Sequence, residues 1–120
     1  MKPAENYILE QPEPYKTILS HLQILIESAF SDVKLEYKYR IPFYYLNGKP
    51  FCYLNSVIKK GYVDVGFWAS AHLKYNTHLV SDGRKVVKSL RYKTIKDINE
   101  EVLLSVLEEA YKVNYKGFWK

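Results

Sequence analysis

The sequence is poor in the residues that build metal and redox centres. It holds one cysteine, Cys52, and three histidines, His21, His72 and His78. A lone cysteine cannot close an internal disulfide, and no His-x-x-x-His pair stands near it to complete zinc-type spacing. No cofactor and no metal site are therefore expected. The glycines are scattered among turns rather than gathered into a phosphate-binding loop. Ser70 and Ser81 lie near histidines, but neither sits in a Gly-x-Ser-x-Gly elbow, and Cys52 has no adjacent base. No apolar run approaches the ~20 residues of a membrane-crossing helix, so no membrane association is expected. Acids and prolines in the opening "MKPAENYILEQPEPYK" stand where a secretory leader needs an unbroken apolar stretch. Together with the single thiol, they predict a cytoplasmic protein.

What the chain does have is a core and a positive charge. Hydrophobic residues make up 48% of 120, enough for one domain over residues 1–120 with a packed interior. The formal net charge of +5 favours acidic partners, either nucleic acid or a small anionic ligand. Nothing in the composition chooses between a monomer and a homodimer.

Periodicity supplies the elements. Residues 1–12 read as a lead-in segment. Over residues 15–30, Tyr15, Ile18, Leu19, Leu22, Leu25, Ile26, Ala29 and Phe30 recur at spacings of three and four, one stripe of an amphipathic helix. From 33 to 40 the pattern switches to alternation. Val33, Leu35, Tyr37 and Tyr39 point one way, and Lys34, Glu36, Lys38 and Arg40 the other, as in a half-buried strand. Pro42 then predicts a bend, or a new strand at a sheet edge. Residues 43–46 and 50–54 flank Asn47-Gly48, a pair that tolerates the positive φ of a tight hairpin. "VIKKGYVDVGFW" reads as a second hairpin; Val63, Val65 and Phe67 share one face of its returning strand, and Tyr62, Asp64, Gly66 and Trp68 the other. Residues 69–83 read as a short helix plus loop, and 84–93 as a fifth strand with Val86, Leu90 and Tyr92 on one side.

A final helix over 97–113 is predicted, with Asp97 as N-cap and Glu100 completing a capping box. Leu103, Val106, Leu107, Ala110 and Tyr111 form its stripe, and residues 114–120 are a tail. The sum is an α+β two-layer sandwich. A mostly antiparallel sheet of about five strands carries the N-terminal and C-terminal helices on one face. Val33, Leu35, Val63, Val65 and Phe67 are expected beneath Leu22, Ile26, Leu103 and Leu107.

Three blocks resemble the YdhG-like family, small bacterial proteins classed as a domain of unknown function. They are "KYRIPFYYLNGKPFCYL" at 38–54, "VGFW" at 65–68 and "KSLRYKTIKDINEEVLLSVLEEA" at 88–110, and the likeness extends over most of the chain. That family usually has Trp-x-Met-Pro-x-Tyr in the first block, where this chain has Tyr39, Ile41, Pro42 and Tyr44. The resemblance implies the two-layer fold. Some members are described as intracellular iron chaperones by analogy with frataxin, which implies a ligand or metal carrier. The family has no established catalytic set to transfer.

The residues themselves suggest a site beside Pro42, lined by Tyr39, Arg40, Tyr44, Trp68, Arg84 and Lys88. A strand break there would open a gap, with rings to stack and cations to attract. Arg84, Lys85, Lys88, Arg91, Lys93 and Lys96 crowd one strand and its exit. They make either a basic, tyrosine-rich binding face or a solvated strand whose lysines discourage edge pairing. Two readings follow. The first is a non-enzymatic binding protein, a carrier or chaperone of a small ligand or metal; the alternative is a nucleic-acid or anionic-ligand binder working through the sheet face. An enzyme comes third. His72, His78 and Asp82 share the irregular segment and would form a site only if they converged, whereas His21 is expected on the solvated side of its helix. Iron should bind weakly or not at all. The first helix offers Glu27 alone, and Glu36 stands among Lys34, Lys38 and Arg40, which repel a divalent ion.

Overall fold

The computed structural model describes residues 2–73 and 78–119. Its elements in chain order are α1 (Pro3–Glu10), α2 (Tyr15–Ala29), β1 (Val33–Lys38), β2 (Ile41–Leu46), β3 (Lys49–Val57), β4 (Tyr62–Phe67), β5 (Lys88–Tyr92) and α3 (Glu100–Val113). Short 3₁₀ turns lie at Ser70–His72, Ile95–Asp97 and Asn114–Lys116. The strands form one antiparallel meander in the order β1-β2-β3-β4-β5. The helices pack on one of its faces, giving the expected α+β sandwich.

The segment read as a lead-in carries α1. Pro3 opens it, where a missing N–H has no consequence. Ala4 and Ile8, one turn apart, are both buried, and the Tyr7 hydroxyl accepts the Ser56 N–H at 2.9 Å. In α2, Ile18, Leu19, Leu22 and Ile26 are completely buried, while Leu25 and Tyr15 are half-buried and Ala29 is exposed.

The first strand is shorter than its alternation suggested. It ends at Lys38, and Tyr39 and Arg40 form a two-residue turn with φ of 54° and 64°. A two-residue hairpin turn with the right twist demands positive φ, and here ordinary side chains adopt it without the Gly or Asn that would have announced it. Pro42 makes no break. It lies within β2, an interior strand, opposite Tyr37 of β1. β3 pairs with β2 only from Phe43 onward, so the absent N–H falls where no rung is needed.

Asn47 and Gly48 have φ of 52° and 77°, as the hairpin signal required. The β2–β3 register then slips between Tyr44↔Cys52 and Tyr45↔Pro50, which leaves Phe51 unopposed. This bulge sends Phe51 into the core, against Phe30 and Tyr111. The fifth strand is Lys88–Tyr92, with Leu90 and Tyr92 buried; Arg84 and Val86 belong to the preceding loop. In the segment read as helix plus loop, only the 3₁₀ turn is helical among the described residues, and 74–77 lie outside them.

The last helix begins later than predicted. Asn99 caps α3, accepting the Val102 N–H at 3.2 Å. Asp97 instead closes a capping box with Thr94 around the preceding 3₁₀ turn, accepting the N–H groups of Lys93 and Thr94. The Asp97 carboxylate, three residues before the helix, was already engaged, so the cap passed to the next side-chain acceptor, Asn99.

Val63, Val65, Phe67, Leu22, Ile26, Leu103 and Leu107 are all fully buried in one cluster. Val33 and Leu35 are only half-buried, because β1 is an edge strand. Leu107→Ala should cost about 2–5 kcal/mol, the range for large core truncations. Urea denaturation would show a lowered midpoint at constant slope, and an unchanged midpoint would contradict the burial described above.

Candidate functional site on the open sheet face

Strand alternation gives the sheet a second face, which the helices leave uncovered. One row of this face crosses all five strands as Glu36, Phe43, Tyr53, Gly66 and Ser89. A neighbouring row runs Asn55, Asp64, Arg91. All six residues of β4 are buried, so this face is covered as well, by the protein's own side chains.

Asp64 is the centre of that cover, with its side chain only 5% exposed. A carboxylate so placed has to be met by donors. Arg91 Nε donates to Oδ1 at 2.9 Å, the Tyr53 hydroxyl donates to Oδ2 at 3.0 Å, and Arg84 Nη1 stands 3.5 Å from Oδ2. Arg91 also donates to Asp82 at 3.1 Å and lies 4.4 Å over the Tyr62 ring. The hydrogen bond from Arg91 holds the exposed Asp82 carboxyl below its ordinary pKa. Arg84 is fixed further by Ser89 Oγ at 2.7 Å and the Val80 carbonyl at 2.9 Å. Burial, followed by the charge of Asp64, raises the pKa of Tyr53 well above the ordinary phenol value. Its ring lies flat across Gly66, where a Cβ would fall 2.1 Å from the ring atoms.

Beside this polar cluster the rings touch in sequence. Phe43 is 2% exposed and has Tyr39, Tyr45, Tyr53 and Trp68 around it, at centroid distances of 5.5 to 6.0 Å. Trp68 meets Phe118 at 4.6 Å, and Phe118 meets Trp119 at 4.9 Å. Gly117, with φ of 81°, lets the tail turn back, and His72 Nε2 donates to the Trp119 carbonyl at 3.0 Å. At the two ends of this chain of rings, Tyr39 is 74% and Trp119 is 73% exposed.

Of the residues expected beside Pro42, Tyr39, Trp68 and Arg84 do share the open face, and Arg40 adjoins Tyr39 in the turn. Tyr44 and Lys88 do not. Tyr44 is fully buried on the helix side, donating its hydroxyl to Glu27 at 2.8 Å, and burial pushes its pKa far up. Lys88 pairs with Phe67, in the row that faces the helices. Arg84 and Arg91, counted as binding cations, are engaged by Asp64. The sequence reading overlooked Tyr53, Asp64, Phe118 and Trp119 as site residues. The legible signal was an acid between valines in "YVDVGFW", since a buried strand admits a carboxylate only with partners.

The histidines go separate ways. His21 lies 3.2 Å from Glu100, His72 holds the tail, and His78 lines a cleft of about 210 Å³ with Asp97 and Asn99. Among the described residues, no group of three His, Cys, Asp or Glu is placed to hold a metal ion. Cys52 is buried, which raises its thiol pKa. The Ser70 hydroxyl donates to the Phe67 carbonyl and accepts the Lys88 N–H at 2.9 Å, tying β4 to β5.

The chain belongs to the family described as a domain of unknown function, DUF5655, which matches residues 4–114. This is a family of unknown function, as the resemblance implied, but it is not the YdhG-like family itself. No curated protein and no solved structure matches the chain. Among the described residues, no helix is long and apolar enough to cross a membrane.

Two outcomes are expected. Asp64→Asn should destabilise by about 3 kcal/mol in urea denaturation, the lower end for a broken buried ion pair, because both arginines can turn to water. Retained stability would mean that the arginines do not depend on the carboxylate. In anaerobic calorimetry, ferrous iron should show no saturable micromolar site. Such a site, lost on replacing Glu101 and Glu108, would overturn this expectation.

Proposed function

We propose that the protein is a non-enzymatic, cytoplasmic binding protein whose open sheet face takes planar anionic ligands, single-stranded nucleic acid foremost. One observation carries the reading: an antiparallel sheet normally places polar residues on its uncovered face, and this one places a chain of touching rings there, buried at Phe43 and exposed at its two ends. Every base has a flat π-face, so a row of rings binds a strand with little regard for sequence. Tyr39 and Trp119, exposed at the two ends, are the outer stacking positions. Phe43 and Tyr53 form the floor between them.

The charge follows the same logic. Lys38 and Arg40 flank Tyr39, and the net charge of +5 draws anions toward the molecule. Arg84 and Arg91 hold the floor in place rather than contact phosphate. A carrier of small nucleotides would use the same face and chemistry. A metal-carrier role has no comparable set of ligands behind it among the described residues.

Fluorescence anisotropy with a labelled oligothymidine tests the reading. Binding should be measurable at low salt and weaken as salt rises, as phosphate contacts require. Tyr39→Ala and Trp119→Ala should each weaken it roughly tenfold, within the range for loss of one stacked base. Absence of binding at low salt, or binding indifferent to both variants, would rule the face out as a nucleic-acid site.

A further inference from the structure

The sheet's two edges are treated differently. Outside β5, Val80 forms a bridge to Ser89, which occupies part of that edge. β1 ends the sheet on the other side, and among the described residues no strand or bridge pairs its outer side. Within β1 there is no proline and no bulge, and its register with β2 is regular over six residues. Two of the devices that usually blunt an edge are thus absent, which leaves a straight row of backbone donors and acceptors; a third, edge charge, is present as Lys34, Glu36 and Lys38, but with alternating sign. Apolar surface accompanies it, since Val33 and Leu35 are half-buried and Tyr37 is 41% exposed.

We propose that β1 pairs antiparallel with β1 of a second copy, joining two five-stranded sheets across a two-fold axis normal to the sheet. The side chains choose the register. Residues directly opposite must share a face, and only two such registers pair five residues of each strand. Centring on Glu36 sets Glu36 against Glu36 and Lys34 against Lys38, all like charges. Centring on Leu35 sets Leu35 against Leu35, Val33 against Tyr37 and, twice by symmetry, Lys34 against Glu36. Opposite charges facing across a pair stabilise it and like charges oppose it, so the Leu35-centred register is selected. It puts the apolar contacts on the helix side and the ion pairs on the open side. Both open faces then look the same way.

Sedimentation equilibrium of the full chain tests this, with circular dichroism confirming that each variant folds. The wild type should form a dimer that dissociates on dilution. Glu36→Lys should raise the dimer Kd by about tenfold, and adding Lys34→Glu should return it to within about threefold of wild type, because like charges face each other only in the single variant. Under mild oxidation, Leu35→Cys should form an intermolecular disulfide, since directly opposed residues lie within bridging distance. Tyr37→Cys should not, because its partner is Val33. A monomer at every concentration, a charge swap that fails to restore the dimer, or cross-linking by Tyr37→Cys in preference to Leu35→Cys would each overturn the proposal.

Discussion

A carboxylate in an interior strand fixes much of what surrounds it. Asp64 lies in β4 between two neighbouring strands, nearly out of reach of water, and cannot stay there charged without donors. Arg91 comes from the next strand and Arg84 from the loop before it, so one acid binds the end of the sheet to an otherwise irregular segment. Tyr53 completes the set by laying its ring over Gly66 to reach the same oxygen that Arg84 approaches. An alanine methyl at Gly66 would lift that ring, and with it the support under Phe43, which Tyr53 touches. The polar and aromatic halves of the open face are therefore one assembly.

The aromatic hairpin shows how a single composition serves two ends. Successive residues of a strand face opposite ways. Tyr44 goes beneath the helices, and Phe43 and Tyr45 go to the open face. The bulge at Phe51 alters the count by one, so that Phe51 and Cys52 are both buried. Most of the rings build the sheet or its core. The ones left over are those that alternation and the returning tail bring together on the uncovered side.

This division explains what was legible in advance. Helix stripes and strand alternation identified α2, the two hairpins around Asn47-Gly48 and Gly61, and the buried row Val63, Val65 and Phe67, because burial of apolar faces drives those patterns. Three kinds of feature were not legible. The Tyr39-Arg40 turn adopts left-handed backbone with residues that give no turn signal. Asp97 had the sequence of a helix cap but a nearer use at Thr94. The site required two contacts distant in sequence, Arg84 to Asp64 and Phe118 to Trp68, and no periodicity encodes those. Of the six residues expected together, Tyr39, Trp68 and Arg84 share the open face; the parity of their strands turns Tyr44 and Lys88 toward the helices, and Arg40 stands beside Tyr39 in the turn.

The returning tail has an optical consequence. The chain has two tryptophans, Trp68 and Trp119, and both belong to the ring cluster that Phe118 bridges. The packed interior beneath the helices contains neither. Indole emission is consequently a local gauge of whether the last residues are docked, while far-ultraviolet ellipticity follows the helices and the sheet. Coincidence of the two signals on heating would mean that the tail melts with the body of the protein. Separation would expose a smaller unit that opens first, and the usual two-probe criterion would then register peeling of the terminus rather than a folding intermediate.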